Sequence, residues 1–177
     1  MRRVAPLVLL VFARALAADS LQTEAVGIRY VVPREWNRVP APSELRAAQY
    51  RIPRAPSDGE DGELVLFFFG KGKGGSADDN LTRWYGQFTE PDGRAPRDVA
   101  AVTNRTVHGL RVTAVDVSGI YLGGAPGSAP RPGIRLLAAV VEGEGGPWFF
   151  KAVGPSATMG AAKPGFDALL DSLQAHP

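Results

Sequence analysis

The chain has 177 residues, of which 45% are hydrophobic and 21% charged, with 20 basic against 18 acidic side chains and no cysteine. That composition excludes a disulfide framework, a thiolate catalyst, a cysteine metal centre and a lipid-modified N-terminal cysteine. It suffices for one domain with its own core, since a chain of about 150 residues removes on the order of 70% of its unfolded surface from water.

The first residues, Met1-Arg2-Arg3, are followed by an apolar run over 4–13 and the small-residue triplet Ala15-Leu16-Ala17. This is the layout of a secretory signal peptide, and the run is shorter than the roughly 20 residues needed to cross a bilayer. The expected organisation is a signal peptide over 1–17, cleaved near Ala17, then one globular domain over 18–177. The expected location is the periplasm or the medium. Arg14 stands just before the cut, where charge is uncommon, so cleavage after Ala18 or retention as a poor anchor stays open. Removing 1–17 takes away Arg2, Arg3 and Arg14, leaving 17 basic against 18 acidic residues. A nearly neutral mature chain speaks against nucleic acid as a partner.

Taken in chain order, residues 26–32 form a strand ended by Pro33, with Trp36 in the Pro-Arg-Glu-Trp turn behind it. Ser43 caps a short helical turn to Ala48, and 49–52 is a second strand. Residues 54–62 are a loop whose region carries Asp58, Glu60, Asp61 and Glu63, oxygen ligands without the spacing of a calcium loop. The continuous apolar run 63–69 has the length and composition of a central strand buried on both faces. After the glycine-rich segment 70–75, Ser76 with Asp79 forms a capping box for a helix to about Phe88. Leu81, Trp84, Tyr85 and Phe88 then share one face, which belongs to the core.

Residues 107–118 read as a strand, and 119–133 as a long Gly/Pro-rich loop. The strands 134–142 and 148–153 are joined closely enough for a hairpin. A closing helix presents Phe166, Leu169, Leu170 and Leu173, with Pro164 near its start, where a missing N–H is tolerated. The sum is an α+β fold with a largely antiparallel sheet of five or six strands covered by helices.

Candidate chemistry is sparse. Gly70-Lys71-Gly72-Lys73-Gly74-Gly75-Ser76 lies between a strand and a helix start, where backbone N–H groups, the helix dipole and the two lysines suit an anion. The same segment also suits a turn that needs positive φ, and it departs from the phosphate-loop pattern. His108 and His176 are the only imidazoles. Ser118 and Asp116 are two apart on a strand, a spacing that does not make a nucleophile relay with His108. Asp116 interrupts an apolar strand and either faces solvent or pairs with Arg111 or Arg135. Trp84 and Trp148 fall on apolar faces and belong to the core, while Trp36 is open. Tyr121 and Leu122 are large apolar residues of the 119–133 segment and suit a binding edge. The ligand-binding candidates are therefore Lys71, Lys73, Gly74, Gly75, Ser76, Asp116 and Tyr121, with no catalytic set, metal site or cofactor indicated.

The stretch from Phe69 to Ser76 with Asn80, Arg83, Trp84, Gln87 and Phe88, the segment Val115 to Gly119 with Tyr121, and the Gly146-Pro-Trp-Phe-Phe-Lys151 run resemble a family of uncharacterised exported bacterial proteins. More distantly, an initial strand running into a Pro-x-x-Trp turn, a late Phe-Phe-Lys strand and a closing helix are similar to the PsbP-like proteins. Those include extrinsic photosystem II subunits and Mog-type nuclear-transport factors. That resemblance implies an α/β/α sandwich with an antiparallel sheet and supplies no mechanism.

The functional expectation is a non-enzymatic binding or accessory module of the cell envelope that contacts an envelope protein or a small ligand. The alternatives are a hydrolase-like or acid/base enzyme around Asp116, and attachment to the envelope through an apolar patch.

Overall fold

The computed structural model describes residues 20–123 and 127–176; the signal-peptide expectation therefore falls outside the described residues. In chain order the elements are β1 (Ser20–Ala25), β2 (Ile28–Pro33), β3 (Asn37–Arg38), β4 (Arg46–Ile52), β5 (Gly62–Phe67), α1 (Ala77–Tyr85), β6 (Phe88–Thr89), α2 (Pro96–Val99), β7 (Ala101–Val107), β8 (Leu110–Tyr121), β9 (Arg131–Glu142), β10 (Trp148–Pro155), α3 (Ser156–Asp171) and β11 (Gln174–Ala175). Eight strands form the main sheet, in the order β3-β4-β5-β10-β9-β8-β6 with β7 also on β8, and a second sheet has the order β1-β2-β11. All the pairings are antiparallel.

The sheet is thus larger than the five or six strands expected, and the helices that accompany it are few. The missed strands have identifiable reasons. β1 reads SLQTEA and β7 reads AVTNRTV with most of its residues exposed, so neither carries an apolar face that would mark it as a strand. β3, β6 and β11 are two residues each. The expected single strand at 107–118 is instead one arm of a hairpin turned at His108 (φ 46°) and Gly109 (φ 84°), two successive positive-φ residues of the kind a tight hairpin requires. The expected turn from Ser43 to Ala48 gives way to β4, which begins at Arg46. Of the long loop at 119–133, both ends belong to strands, since β8 runs through Tyr121 and β9 begins at Arg131.

α1 has the capping box read from sequence: the Ser76 hydroxyl accepts from the Asp79 backbone N–H and the Asp79 carboxylate accepts from the Ser76 N–H. It ends at Tyr85 rather than at Phe88, which has passed into β6 while remaining buried with Trp84. α3 begins at Ser156, eight residues before Pro164, which therefore sits inside the helix. Its Met159, Phe166, Leu169 and Leu170 are buried.

Alternation along β10 decides the layering. Trp148, Phe150 and Ala152 face one core with α3 and the small sheet, and Phe149 faces a second core with α1. In the first core the Tyr30 ring meets Phe150 edge-on at 5.4 Å, and the Tyr30 and Tyr50 hydroxyls lie 3.0 Å apart. Burial raises the Tyr30 pKa. Trp36 and Trp84 are each 4% exposed and Trp148 is fully buried, so all three tryptophans serve packing. Burying side chains of this kind contributes roughly 1.5–3 kcal/mol each.

The start of α3 is held from outside the helix. The Asp58 carboxylate accepts from the Thr158 backbone N–H (2.7 Å) and hydroxyl (2.6 Å), and that hydroxyl accepts from the Ala55 N–H at 3.0 Å. Losing a side-chain acceptor of this kind costs about 1 kcal/mol. Asp58→Ala is expected to lower the urea midpoint by that amount of stability with an unchanged m-value.

Candidate functional site

The residues singled out from sequence fall in separate places. Lys71 and Lys73 are exposed in the loop between β5 and α1, and Gly74 and Gly75 occupy φ of 100° and 86°. A Cβ on Gly74 would come within 2.5 Å of the Phe149 ring. The glycines therefore answer a backbone need. Ser76 and Asp79 fill the helix N-terminus with their own oxygens, and Asp78 and Asp79 put negative charge in its first turn, which opposes a second anion. Ser76 also borders a shallow depression with Arg105 and Arg111. Asn80, in an Asn-Leu-Thr sequence, donates to the Gly74 and Ser76 carbonyls and accepts from Arg83.

Asp116 opens toward α3, in a fold of the surface shared with Lys163 and Asp167. Its two oxygens accept from Arg135 Nε (2.8 Å) and Nη2 (2.6 Å). The bidentate pair raises the Arg135 pKa and satisfies the carboxylate. His108 Nδ1 contacts the Leu173 carbonyl at 2.9 Å. Tyr121, 8% exposed, is the one residue of the seven ligand-binding candidates that borders a cleft on the main sheet, where Glu60, Asp61 and Glu63 of the acidic segment also lie.

That cleft, of about 360 Å³, lies on the face of the main sheet shared with α1. Its floor is made by alternate residues of the adjacent strands β5 (Val65 and Phe67) and β10 (Lys151 and Val153), with Tyr121 of β8 lying beyond β9. Lys151 stands opposite Val65 on one side and Ala138 on the other. A lysine at the centre of two flanking strands is the feature that sequence reasoning missed. The signal was present in Trp-Phe-Phe-Lys-Ala-Val, a charge within an apolar strand, on the same pattern that drew attention to Asp116.

The charges around the cleft are mostly matched. Arg46 bonds Glu63 (2.5 Å) and Gln49 (3.1 Å) and lies 5.6 Å from the centre of the Phe67 ring. Arg131 pairs with Glu60, and Arg51 with Asp61 at 3.5 Å. Together with Asp58 at the start of α3, these contacts occupy the acidic residues that had suggested oxygen ligands, and the described residues contain no cluster suited to a metal ion. Lys151 differs. Its ammonium donates to the Gln87 side-chain oxygen at 2.8 Å and lies 6.0 Å from the centre of the Tyr121 ring, with no carboxylate in ion-pair contact among the described residues. Burial lowers its pKa to about 8, opposed by Glu63 and aided by Arg46. Burial, and then Glu63, raise the Tyr121 pKa.

The chain matches no protein-family model and no functionally described protein sequence. Among solved structures it is similar to the cyanobacterial PsbP (CyanoP) of Synechocystis, with 16% identity, 90% of this chain and 94% of that one covered, and a TM-score of 0.55. A Pseudomonas aeruginosa protein of unknown function aligns at 10% identity over 89% of this chain and 98% of that one, with a TM-score of 0.49. The first likeness gives the class: an α+β protein with a PsbP-like fold.

Two outcomes follow from this geometry. The Lys151 ammonium should titrate with a midpoint near pH 8, well below an ordinary lysine, followed by NMR of its side-chain nitrogen. Gly74→Ala should destabilise the fold by about 1–3 kcal/mol in chemical denaturation, through positive φ and the Phe149 clash together.

Proposed function

We propose that the chain is an exported, non-enzymatic binding module or accessory protein of the cell envelope, and that its ligand surface is the cleft around Lys151. The observation that carries this reading is the lysine itself: a part-buried ammonium without a carboxylate partner among the described residues, at the floor of an open cleft whose other cations are paired. Such a group costs stability where it stands, and a ligand that supplies the missing negative or polar partner would recover that cost. Export is supported by the layout of residues 1–17. The PsbP-like fold adds the architecture and no activity.

The enzyme alternative around Asp116 has less behind it, because both carboxylate oxygens are engaged by Arg135. Attachment through an apolar patch would draw on Leu21, Val26, Leu45, Val102 and Leu122, exposed large apolar residues of four chain segments.

Lys151→Met tests the assignment on two axes. Because the folded-state pKa lies below that of the unfolded chain, the destabilisation is fully present below about pH 8 and fades as the pH rises from about 8 to the ordinary 10.5. The variant should therefore be more stable than the parent at pH 7, by up to about 3 kcal/mol, with the gain vanishing near pH 10.5. A small-molecule fragment library screened by NMR against the full chain should perturb residues around Lys151 and Tyr121, and Lys151→Met should abolish those shifts. Fragment binding that maps to the Gly70 to Ser76 loop, or that is indifferent to the substitution, would overturn the cleft as the ligand surface.

A further inference from the structure

A second, smaller depression adjoins the cleft. It holds about 150 Å³ and shares Phe67 and Lys151 with it; its other walls include Phe69, Trp84 and Phe149. The Phe67 and Phe69 rings are stacked, 6.1 Å apart and 6° from parallel, and Phe149 lies 5.5 Å from Phe69 at 58°. Gln87, the partner of Lys151, lines the same groove. An aromatic-walled groove therefore ends at an amine.

We infer that the cleft takes a small aromatic carboxylate, its ring in the groove walled by Phe67, Phe69, Trp84 and Phe149 and its carboxylate on the Lys151 ammonium. The inference rests on the cleft being the ligand surface. The groove has the volume of an apolar cavity that accepts a benzene-sized ring, about 150 Å³, and its flat rings offer offset or edge-on contact to another ring. Lys151 has three N–H donors and Gln87 takes one, leaving two for the carboxylate.

Charge selects the head group. The guanidinium forks of Arg46 and Arg131 are engaged by Glu63 and Glu60, and Arg51 by Asp61. Arg83, at the groove, is bonded to Asn80. One uncompensated positive charge matches a monoanion, whereas a phosphate dianion would have to compete with those pairs. A neutral ring would cover the ammonium and leave it without a counter-charge, which is costly in a desolvated place. A cationic ligand would meet Lys151 directly.

The test titrates the full chain with benzoate, benzamide and acetate, read by calorimetry and by NMR shifts. Benzoate is expected to bind at least about tenfold more tightly than the isosteric neutral benzamide or the ringless acetate, with shifts in the groove and at Lys151. Its affinity should fall about tenfold between pH 7 and pH 9 as the ammonium deprotonates. Lys151→Met should erase the preference for benzoate over benzamide, and Phe69→Ala should weaken both aromatic probes; near-native spectra confirm that each variant is folded. Benzamide matching benzoate, or all three probes failing to bind, overturns the aromatic-carboxylate class and leaves the fragment screen to judge the cleft. Benzoate shifts that map outside the cleft, or that persist undiminished in Lys151→Met, overturn both.

Discussion

Strand β10 is paired along its length, with β9 on one side from Trp148 to Pro155 and with β5 on the other from Phe149 to Val153, and this double pairing fixes which way each of its side chains points. A slip of one residue would send Trp148 and Phe150 out of the α3 core and Lys151 into it. The register is therefore held by the apolar residues around the lysine. The small sheet depends on it too, since Tyr30 packs on Phe150 and the Trp148 indole donates to the Val26 carbonyl at 2.8 Å. The first core, the layer order and the position of the cleft all follow from one strand's alternation.

Elements with a marked apolar face were legible from sequence. The capping box of α1, the β9–β10 hairpin, the apolar β5 run and the buried face of the closing helix rest on spacing that tolerates few other readings. What escaped was carried by contacts distant in the chain. β1 and β7 owe their strand form to partners, because their own side chains are polar or exposed. Phe88 satisfied the helical period, yet Gly86 and Gln87 intervene and the Phe88 backbone pairs with Tyr121. Pro164 suggested a beginning, whereas α3 had already started at Ser156.

The candidate site was less legible than the fold. Tyr121 was read as part of a loop and proves to end a strand bordering the cleft. Asp116 and Lys151 are the same kind of signal, a charge in an apolar strand, and their environments separate them. Asp116 has the Arg135 fork across the β8–β9 pairing region, while Lys151 faces Gln87 and aromatic rings. No spacing rule distinguishes the two, because the difference lies in strand order and in which helix covers each face. The glycines at 74 and 75 show the converse: a conspicuous motif is explained by local backbone geometry and by the Phe149 ring beneath it.

The contacts of Asp58 with the start of α3 bear on how freely the cleft can change shape. The segment that carries Asp58 also supplies Glu60 and Asp61 to the cleft edge, so that edge is braced against a sixteen-residue helix on the far side of the sheet. The floor is ladder-bonded strand. A cleft with a braced edge and a ladder-bonded floor has little conformational freedom to lose on being filled, and whatever it discriminated would be sorted by fit and charge rather than by enfolding.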